Sequence, residues 1–164
     1  MTSLFRITVE NYQSHLERIL KIETLSFSAP WSAGGFIQEI GNPMAAFWGA
    51  GIGPRLDGFI CYWVLDFEIH LLNFAVHPKC RRKGTGRLLL NHMIKEALSM
   101  GLESIWLEVR VSNEGAAKLY RDSGFEQMGL RPRYYDDTGE DALVMRRSLP
   151  AALPALKRHA YGDH

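Results

Sequence analysis

The sequence is short of the features that mark membrane, secreted and metal-binding proteins. No segment reaches the roughly 20 apolar residues of a membrane-spanning helix, and the N-terminus has no basic region followed by an apolar stretch and a cleavage site. The six histidines do not show the H-x-x-x-H spacing that suits zinc. We therefore expect a cytoplasmic protein with no membrane partner and no metal ion.

Cysteine is scarce, with Cys61 and Cys80 the only two in 164 residues. They form neither a disulfide framework nor a C-x-x-C pair. Cys61 lies in the apolar stretch FICYW and is expected in the core. Cys80 precedes two arginines, which favour a thiolate, so we expect either a reactive thiol or an exposed cysteine without a role.

An excess of charge of either sign is also lacking, because 19 lysines and arginines face 18 aspartates and glutamates. A nucleic-acid-binding domain usually has a clear positive excess. Nucleic acid is therefore not an expected partner, and any charge effect must be local.

What remains is the composition of an ordinary globular domain. Apolar residues make up 46% of the chain and charged residues 23%, as is usual for globular proteins. A chain of this length can bury a sizeable core without disulfides. We expect one domain over residues 1–149 and a mobile C-terminal tail over residues 150–164.

The apolar pattern predicts an order of strands and helices. Predicted strands cover residues 4–10, 45–52, 59–66, 68–76, 104–111, 125–135 and 141–149. Predicted helices start near residue 12, after Ser32, after Gly86 and after Asn113. The middle of the chain runs strand, glycine loop, helix, strand, helix, which implies two parallel strands joined by a right-handed crossover.

The stretch RRKGTGRLLL, residues 81–90, places cations and glycines directly before an apolar helix. The first N–H groups of a helix have no partner within it and carry the positive end of its dipole. Gly84 and Gly86 have no Cβ atom to keep a phosphate from the backbone. The loop is expected to bind a pyrophosphate, although glycines and arginines also occur together in plain solvated turns.

Two common phosphate-binding motifs do not fit this loop. A P-loop needs Lys and Ser/Thr after its last glycine, whereas Arg87 and Leu88 follow Gly86. A dinucleotide-binding loop needs a third small residue, where this chain has Leu89. The loop therefore points away from nucleoside triphosphates and dinucleotides.

The segment AVHPKCRRKGTG, residues 75–86, resembles the acyl-coenzyme A loop of the GNAT superfamily of N-acetyltransferases. WLEVRVSN, LYRDSGF and the pair YY extend the resemblance over nearly the whole chain. They are similar to the branch that acetylates the N-terminal alanine of a ribosomal protein. The resemblance implies an α/β fold (α+β mixed sheet): a central, mostly antiparallel sheet with one parallel pair splayed at the cofactor, flanked by helices.

By this resemblance the cosubstrate is acetyl-CoA. The strand contacts to its pantetheine arm would be Phe74, Ala75 and Val76. The phosphate loop would be Arg82, Lys83, Gly84, Thr85, Gly86 and Arg87. Asn113 can cap a helix and would also contact the cofactor.

Acetyl transfer to an amine needs a base for the amine proton and an acid for the departing thiolate. The resemblance names Glu108 as the base and Tyr120 as the acid. A phenol suits the second role, because a pKa near 10 keeps it protonated while it faces a thiolate of pKa near 8.5. Taken alone, Glu108 could instead be a surface glutamate paired across the strand with a neighbouring charge, and Tyr120 a half-buried core residue.

The acceptor groove is expected outside the cofactor loop, where aromatic side chains can hold a peptide. Its candidates are Trp31, Tyr134 and Tyr135, with Phe27 and Pro30 beside them. The turn DDTGED, residues 136–141, carries four acids. It is expected either to attract a basic protein tail or to be a solvated turn.

The expected acceptor is the N-terminal α-amine, with alanine first, of a ribosomal small-subunit protein. Its pKa near 8, against about 10.4 for lysine, mildly favours an α-amine. A small-molecule amine, a lysine side chain and a non-catalytic acyl-CoA-binding module stay open as alternatives. The presence of both Glu108 and Tyr120 argues against the last.

Overall fold

A computed structural model describes residues 1–150. The predicted tail, residues 150–164, lies outside this range except for Pro150. The α-helices are α1 (Leu16–Ser26), α2 (Ala33–Ile40), α3 (Thr85–Ser99) and α4 (Glu114–Asp122). The strands are β1 (Ser3–Arg6), β2 (Ala45–Ile52), β3 (Arg55–Val64), β4 (Glu68–Val76), β5 (Ser104–Arg110), β6 (Glu126–Tyr135) and β7 (Glu140–Ser148).

All seven strands form one sheet in the order β1-β2-β3-β4-β5-β7-β6. Every neighbouring pair is antiparallel except β4 and β5, which are parallel. Helix α3 connects these two strands. The predicted fold class is confirmed, including the single parallel pair and the helices on the flanks.

The parallel pair is joined for only part of its length. Three residue pairs connect β4 and β5, from Glu68–Ser104 to His70–Trp106. Because β4 continues to Val76 and β5 to Arg110, the two strands separate beyond these pairs. The rest of β4 has no strand partner on its β5 side, which leaves its backbone groups there for another ligand.

A bulge in β4 lies at the start of this gap. Opposite β3, Cys61 pairs with Asn73 while Tyr62 pairs with Leu71, so Leu72 is an extra residue. An extra residue changes which side chains face each side of a sheet. Beyond it, Phe74 packs against the α3 side and Ala75 against the α1 side.

Two apolar cores cover the two faces of the sheet. On one face α3 and α4 bury Leu89, Met93, Ala117 and Tyr120 against strand residues. On the other face α1 and α2 bury Ile19, Ile22 and Phe36 against Phe47 and Phe59. Glu108, Trp106 and Arg110 alternate with the buried Ile105, Leu107 and Val109 and so share the second face. Since α1 and α2 contact β2, β3 and β4, this end of the second face stays open.

Local signals explain how the helices begin and end. The Ser32 Oγ accepts from the Gly35 N–H at 3.1 Å, and the Asn113 Oδ1 accepts from the Ala116 N–H at 3.2 Å, as predicted for caps. Gly101 has φ = 70° and follows the end of α3, where a left-handed residue favours glycine.

Some predicted boundaries were wrong. Strand β1 ends at Arg6 rather than at residue 10, because the Thr8 N–H donates to the Asn11 Oδ1 at 2.8 Å and turns the chain. Helix α1 therefore begins only at Leu16, and β3 begins at Arg55 rather than at residue 59.

Candidate active site

Helix α3 begins without a side-chain cap, in contrast to α2 and α4. Its N-cap is Gly84, with φ = 87°, a left-handed conformation that costs most other residues about 1 kcal/mol. The first helical bond runs from the Leu88 N–H to the Gly84 carbonyl at 2.9 Å. The N–H groups of residues 85–87 therefore precede the hydrogen-bonded part of the helix and can bind an anion.

The cations of this loop have different roles. Arg82, Lys83 and Arg87 are exposed and can reach a phosphate. Arg81 instead donates from Nε to the Val76 carbonyl at 2.9 Å and from Nη2 to the Ser26 Oγ at 3.1 Å. Arg81 thus fixes the loop to β4 and to the end of α1, a role that the sequence did not predict.

Gly86 packs against the separated end of β4, where a Cβ would make ordinary van der Waals contacts. A Cβ at this position would lie 3.4 Å from the Phe74 ring and 3.6 Å from a Val76 methyl group. Thr85 is buried beside it. The predicted loop residues and the predicted strand residues Phe74 and Val76 are therefore neighbours at the separated end of β4.

Both predictions for Cys80 were wrong. The side chain is buried, and its pKa is raised by burial first and then by a hydrogen bond to the Asp57 carboxylate. Asp57 is also buried and accepts from the Arg55 Nε at 2.7 Å. A buried thiol whose pKa is raised beside a carboxylate is not a reactive thiolate; Cys80 supports the turn behind the loop.

Removing the two exposed loop cations tests the predicted pyrophosphate site. In an Arg82→Ala/Lys83→Ala variant we expect the KM for acetyl-CoA to rise about tenfold, because charge-assisted contacts to the diphosphate are lost. The rise of this KM with added salt should also become shallower than in the wild type. Lys118→Ala is the control, since Lys118 is exposed and paired with Asp122 at 2.8 Å. An unchanged KM in the double variant would contradict the assignment.

Glu108 lies on the open face of β5, beside a histidine that the sequence did not indicate. The His70 Nε2 is 2.9 Å from the Glu108 Oε2 and 3.2 Å from the Oε1. The Tyr134 hydroxyl donates to the Glu108 Oε1 at 3.5 Å. Glu108 is therefore held between β4 and the end of β6. Its pairing with His70 across the strands also fits the alternative prediction of a glutamate paired with a neighbouring charge, so its role as the base stays a prediction.

The electrostatics of this pair are complementary. The hydrogen bond from His70, followed by the histidine's charge, lowers the pKa of Glu108 although burial opposes this. The Glu108 carboxylate raises the pKa of His70. The two groups therefore titrate as a coupled pair, and the pKa of His70 is raised from its ordinary value near 6.5.

Tyr120 belongs to α4 and points into the core on the other face of the sheet. It is only 6% exposed, and its ring centroid is 6.3 Å from that of Phe74 and 5.7 Å from that of Phe125. Burial raises its pKa, so the phenol stays protonated at neutral pH. Tyr120 and Glu108 thus approach the gap between β4 and β5 from opposite faces.

The remaining predicted cofactor contact, Asn113, starts α4 at the end of β5. Its Oδ1 is engaged as the cap, which leaves its NH2 group for a ligand. The predicted acceptor residues are more dispersed. Tyr134 touches Glu108 and is 43% exposed, whereas Trp31 packs on Phe36 with ring centroids 5.2 Å apart.

Tyr135 and the acidic turn form one network with the loop between α1 and α2. The Arg110 guanidinium lies 4.0 Å above the Tyr135 ring centroid. It also pairs with Asp137 at 2.9 Å and with Glu140 at 3.5 Å. The Ser28 hydroxyl donates to Asp137. Arg110 therefore pairs with two of the four acids of the turn, whereas Asp136 and Asp141 form no salt bridge within residues 1–150. The acidic rim stays a prediction.

Phe27 and Pro30 differ in exposure. Phe27 is half-buried in the core under α1, and Pro30 is exposed. Among the acceptor candidates within residues 1–150, only Tyr134 contacts Glu108 directly. Tyr135 is linked to Glu108 through Tyr134, since the two tyrosine ring centroids are 5.0 Å apart.

The candidate active site does not coincide with either of the two clefts described in residues 1–150. Two open clefts of about 340 and 330 Å³ lie along α2 and α3, and Arg6, Pro43 and Ala45 line both. Neither contains a predicted site residue. Within residues 1–150 no helix is long and apolar enough to cross a membrane. The same residues contain no group of three or more side chains placed to hold a metal ion.

The chain is similar to known acetyltransferases. Residues 16–125 match the model of the "Acetyltransferase (GNAT) family". The chain is 38% identical over 134 residues to the [ribosomal protein bS18]-alanine N-acetyltransferase of Escherichia coli K12, covering 80% of this chain and 88% of that protein. It is 39% identical over 140 residues to an uncharacterized protein of Mycobacterium leprae; the match covers 80% of this chain but only 38% of that longer protein.

A solved structure extends the likeness to the fold. The crystal structure of the ribosomal-protein-S18-alanine N-acetyltransferase from Escherichia coli superposes with a TM-score of 0.81 at 29% identity, covering 93% of this chain and 98% of that one. The family model spans most of the chain and includes the glycine loop, Glu108 and Tyr120. The chain belongs to the GNAT family of acetyl-CoA-dependent N-acetyltransferases.

Proposed function

We propose that this enzyme transfers the acetyl group of acetyl-CoA to the N-terminal α-amine of a ribosomal protein whose first residue is alanine. Residues 1–149 make up the catalytic domain in this proposal. The observation that carries it is the Glu108–His70 pair on the open sheet face beside the gap between β4 and β5. The E. coli relative, named for alanine acetylation of a small-subunit ribosomal protein, supports the choice of acceptor.

The cofactor is held by groups that are free for it. The N–H groups at the start of α3, with Arg82 and Lys83, bind the diphosphate. The backbone of residues 74–76 has no β5 partner and bonds to the pantetheine arm, except for the Val76 carbonyl, which already accepts from Arg81. Asn113 adds a contact from the start of α4. The thioester then lies in the gap, between Glu108 on one face and Tyr120 on the other.

Glu108 accepts the proton that the amine must lose, and His70 acts with it. A carboxylate of lowered pKa is a weak base alone, but neutral His70 beside it can share the added proton. The ordinary pKa of an imidazole or a carboxylate alone lies further below that of an α-amine, which is near 8, so either group alone would be a poorer proton acceptor. The pair therefore serves as the proton acceptor.

The bond changes then balance. The Glu108–His70 pair takes the proton of the α-ammonium group, and the neutral nitrogen then forms a bond to the acetyl carbon. The carbon–sulfur bond breaks as Tyr120 gives its proton to the departing thiolate. The second proton that nitrogen loses on becoming an amide returns through solvent to Tyr120, and the proton on the Glu108–His70 pair is released to solvent. Backbone N–H groups near Val76, beyond the last β4–β5 pair, stabilise the oxyanion. The α-amine becomes an amide and free coenzyme A leaves.

A peptide panel tests the acceptor. The purified enzyme is incubated with acetyl-CoA and equal concentrations of peptides beginning with Ala, Ser or Met, each with one internal lysine, together with a polyamine. Tandem mass spectrometry then locates the acetyl group. We expect it on the α-amine, fastest for Ala. Labelling confined to the polyamine or to lysine would reject the proposed acceptor.

A further inference from the structure

A buried glutamate that takes no part in the mechanism above lies on α1. Glu23 is 1% exposed, and no salt bridge within residues 1–150 reaches it. Burial raises its pKa, and two hydrogen bonds only partly offset this. A buried carboxylate without a cation is costly, so the stability of Glu23 in the core depends on its hydrogen-bond donors.

Both partners of Glu23 belong to segments that border the site. The Trp31 backbone N–H donates to the Glu23 Oε2 at 3.0 Å. The Asn73 Nδ2 donates to the Oε1 at 2.9 Å and to the Oε2 at 3.1 Å. Trp31 ends the loop between α1 and α2, residues 27–32, here called the acceptor loop. Asn73 follows the β4 bulge and directly precedes residues 74–76.

A partly buried hydrogen bond from the Trp31 N–H to Glu23 and an exposed one from Ser28 to Asp137 tie the acceptor loop to other segments. Arg81 also holds Ser26, the last residue of α1, in an exposed contact. Exposed contacts contribute little. Without the Glu23 oxygens the Trp31 N–H and the Asn73 amide would lack acceptors, which is the more costly loss.

We propose that Glu23 is a positioning residue that sets the acceptor loop against β4 and thereby determines the affinity for the acceptor. One carboxylate bonds to the loop through Trp31 and to the cofactor strand through Asn73, so the distance between the two segments is fixed. This inference rests on the proposed function in so far as the acceptor loop borders the acceptor.

Two substitutions of Glu23 separate its hydrogen bonds from its charge. Glu23→Leu keeps the size but removes both acceptors. Glu23→Gln keeps an oxygen for the Trp31 N–H, and the Asn73 amide can turn to accept from the new NH2 group. In Glu23→Leu we expect the KM for an alanine peptide to rise about tenfold, with kcat and the KM for acetyl-CoA within about twofold. Glu23→Gln should restore the acceptor KM to within about threefold of the wild type.

Glu39 offers a matched control on α2. It is 9% exposed and accepts from the Trp63 Nε1 at 2.8 Å and from the Asn42 Nδ2 at 3.2 Å. Glu39→Leu should destabilise the fold comparably, but it leaves the acceptor loop bonded and the acceptor KM unchanged. If both leucine variants raised the acceptor KM alike, or neither did, the positioning role would be wrong.

Hydrogen exchange at the Trp31 amide gives a readout that needs no turnover. We expect this amide to be protected in the wild type and in Glu23→Gln, and to exchange at least about tenfold faster in Glu23→Leu. An unprotected Trp31 amide in the wild type would overturn the inference even if Glu23→Leu failed to fold. If the peptide were no substrate but protection followed this order, the proposed acceptor would fail while the role of Glu23 in fixing the loop would stand.

Discussion

Glu108→Gln is expected to lower kcat for peptide acetylation by about 100-fold or more, the usual contribution of a positioned base. Glutamine fills the same space and can accept from His70 and Tyr134, so the fold and the KM for acetyl-CoA should change little. Steady-state kinetics with varied peptide and varied acetyl-CoA measure the effect. Glu17→Gln, on the exposed side of α1, is the control and should keep the wild-type rate.

The same pair predicts a pH dependence that His70 controls. Glu108 raises the pKa of His70 above its ordinary value near 6.5, so the imidazole holds an extra proton below that raised pKa and cannot share the proton from the amine. The kcat of the wild type should therefore fall as the pH drops through the raised pKa. In His70→Gln the fall of kcat should occur at lower pH than in the wild type, because only the Glu108 carboxylate of the pair then titrates.

Two results would contradict this account of Glu108. One is a Glu108→Gln enzyme with the wild-type kcat. The other is a His70→Gln profile that coincides with the wild-type profile, which would mean that His70 holds no proton relevant to turnover. The titration of the peptide amine is common to both enzymes, so the difference between their profiles isolates His70.

Tyr120→Phe is expected to lower kcat by about 100-fold through loss of the proton donor to the thiolate. The ring contacts with Phe74 and Phe125 stay, so the melting temperature and the acetyl-CoA KM should stay close to those of the wild type. The loss should shrink when the leaving group is a more acidic thiol, which needs less help from a donor.

A second buried tyrosine gives the matched control. Tyr62 is 1% exposed and belongs to the same apolar core, but its hydroxyl has no hydrogen-bond partner within the described residues. Tyr62→Phe should therefore leave kcat unchanged and the stability equal or slightly higher. A Tyr120→Phe enzyme as active as Tyr62→Phe would make Tyr120 a core residue only.

The sequence predicted the parts of the molecule that depend on local signals. The glycine loop, the caps at Ser32 and Asn113 and the alternation of β5 are written in adjacent residues, and the structure contains them. The order of strand, loop, helix and strand also determined that β4 and β5 are parallel. Local patterns of this kind require no knowledge of distant contacts.

The parts that the sequence did not predict depend on distant contacts. His70 meets Glu108 across 38 positions because of the β4–β5 register, and Glu23 meets Asn73 across 50. Cys80 is buried because Asp57 lies beneath its turn. Two of the four acids in the turn at residues 136–141 are paired with Arg110, which lies on another strand. No local pattern carries such information.

The central claim is acetyl transfer to a protein N-terminal amine. Its most direct test is the initial rate of coenzyme A release with one alanine-leading peptide in two forms, one with a free α-amine and one with that amine already acetylated, both retaining an internal lysine. We predict acetyl-CoA-dependent turnover with the free form alone and a mass increase of a single acetyl group. Equal turnover with both forms would show that the α-amine is not the acceptor and would contradict the account.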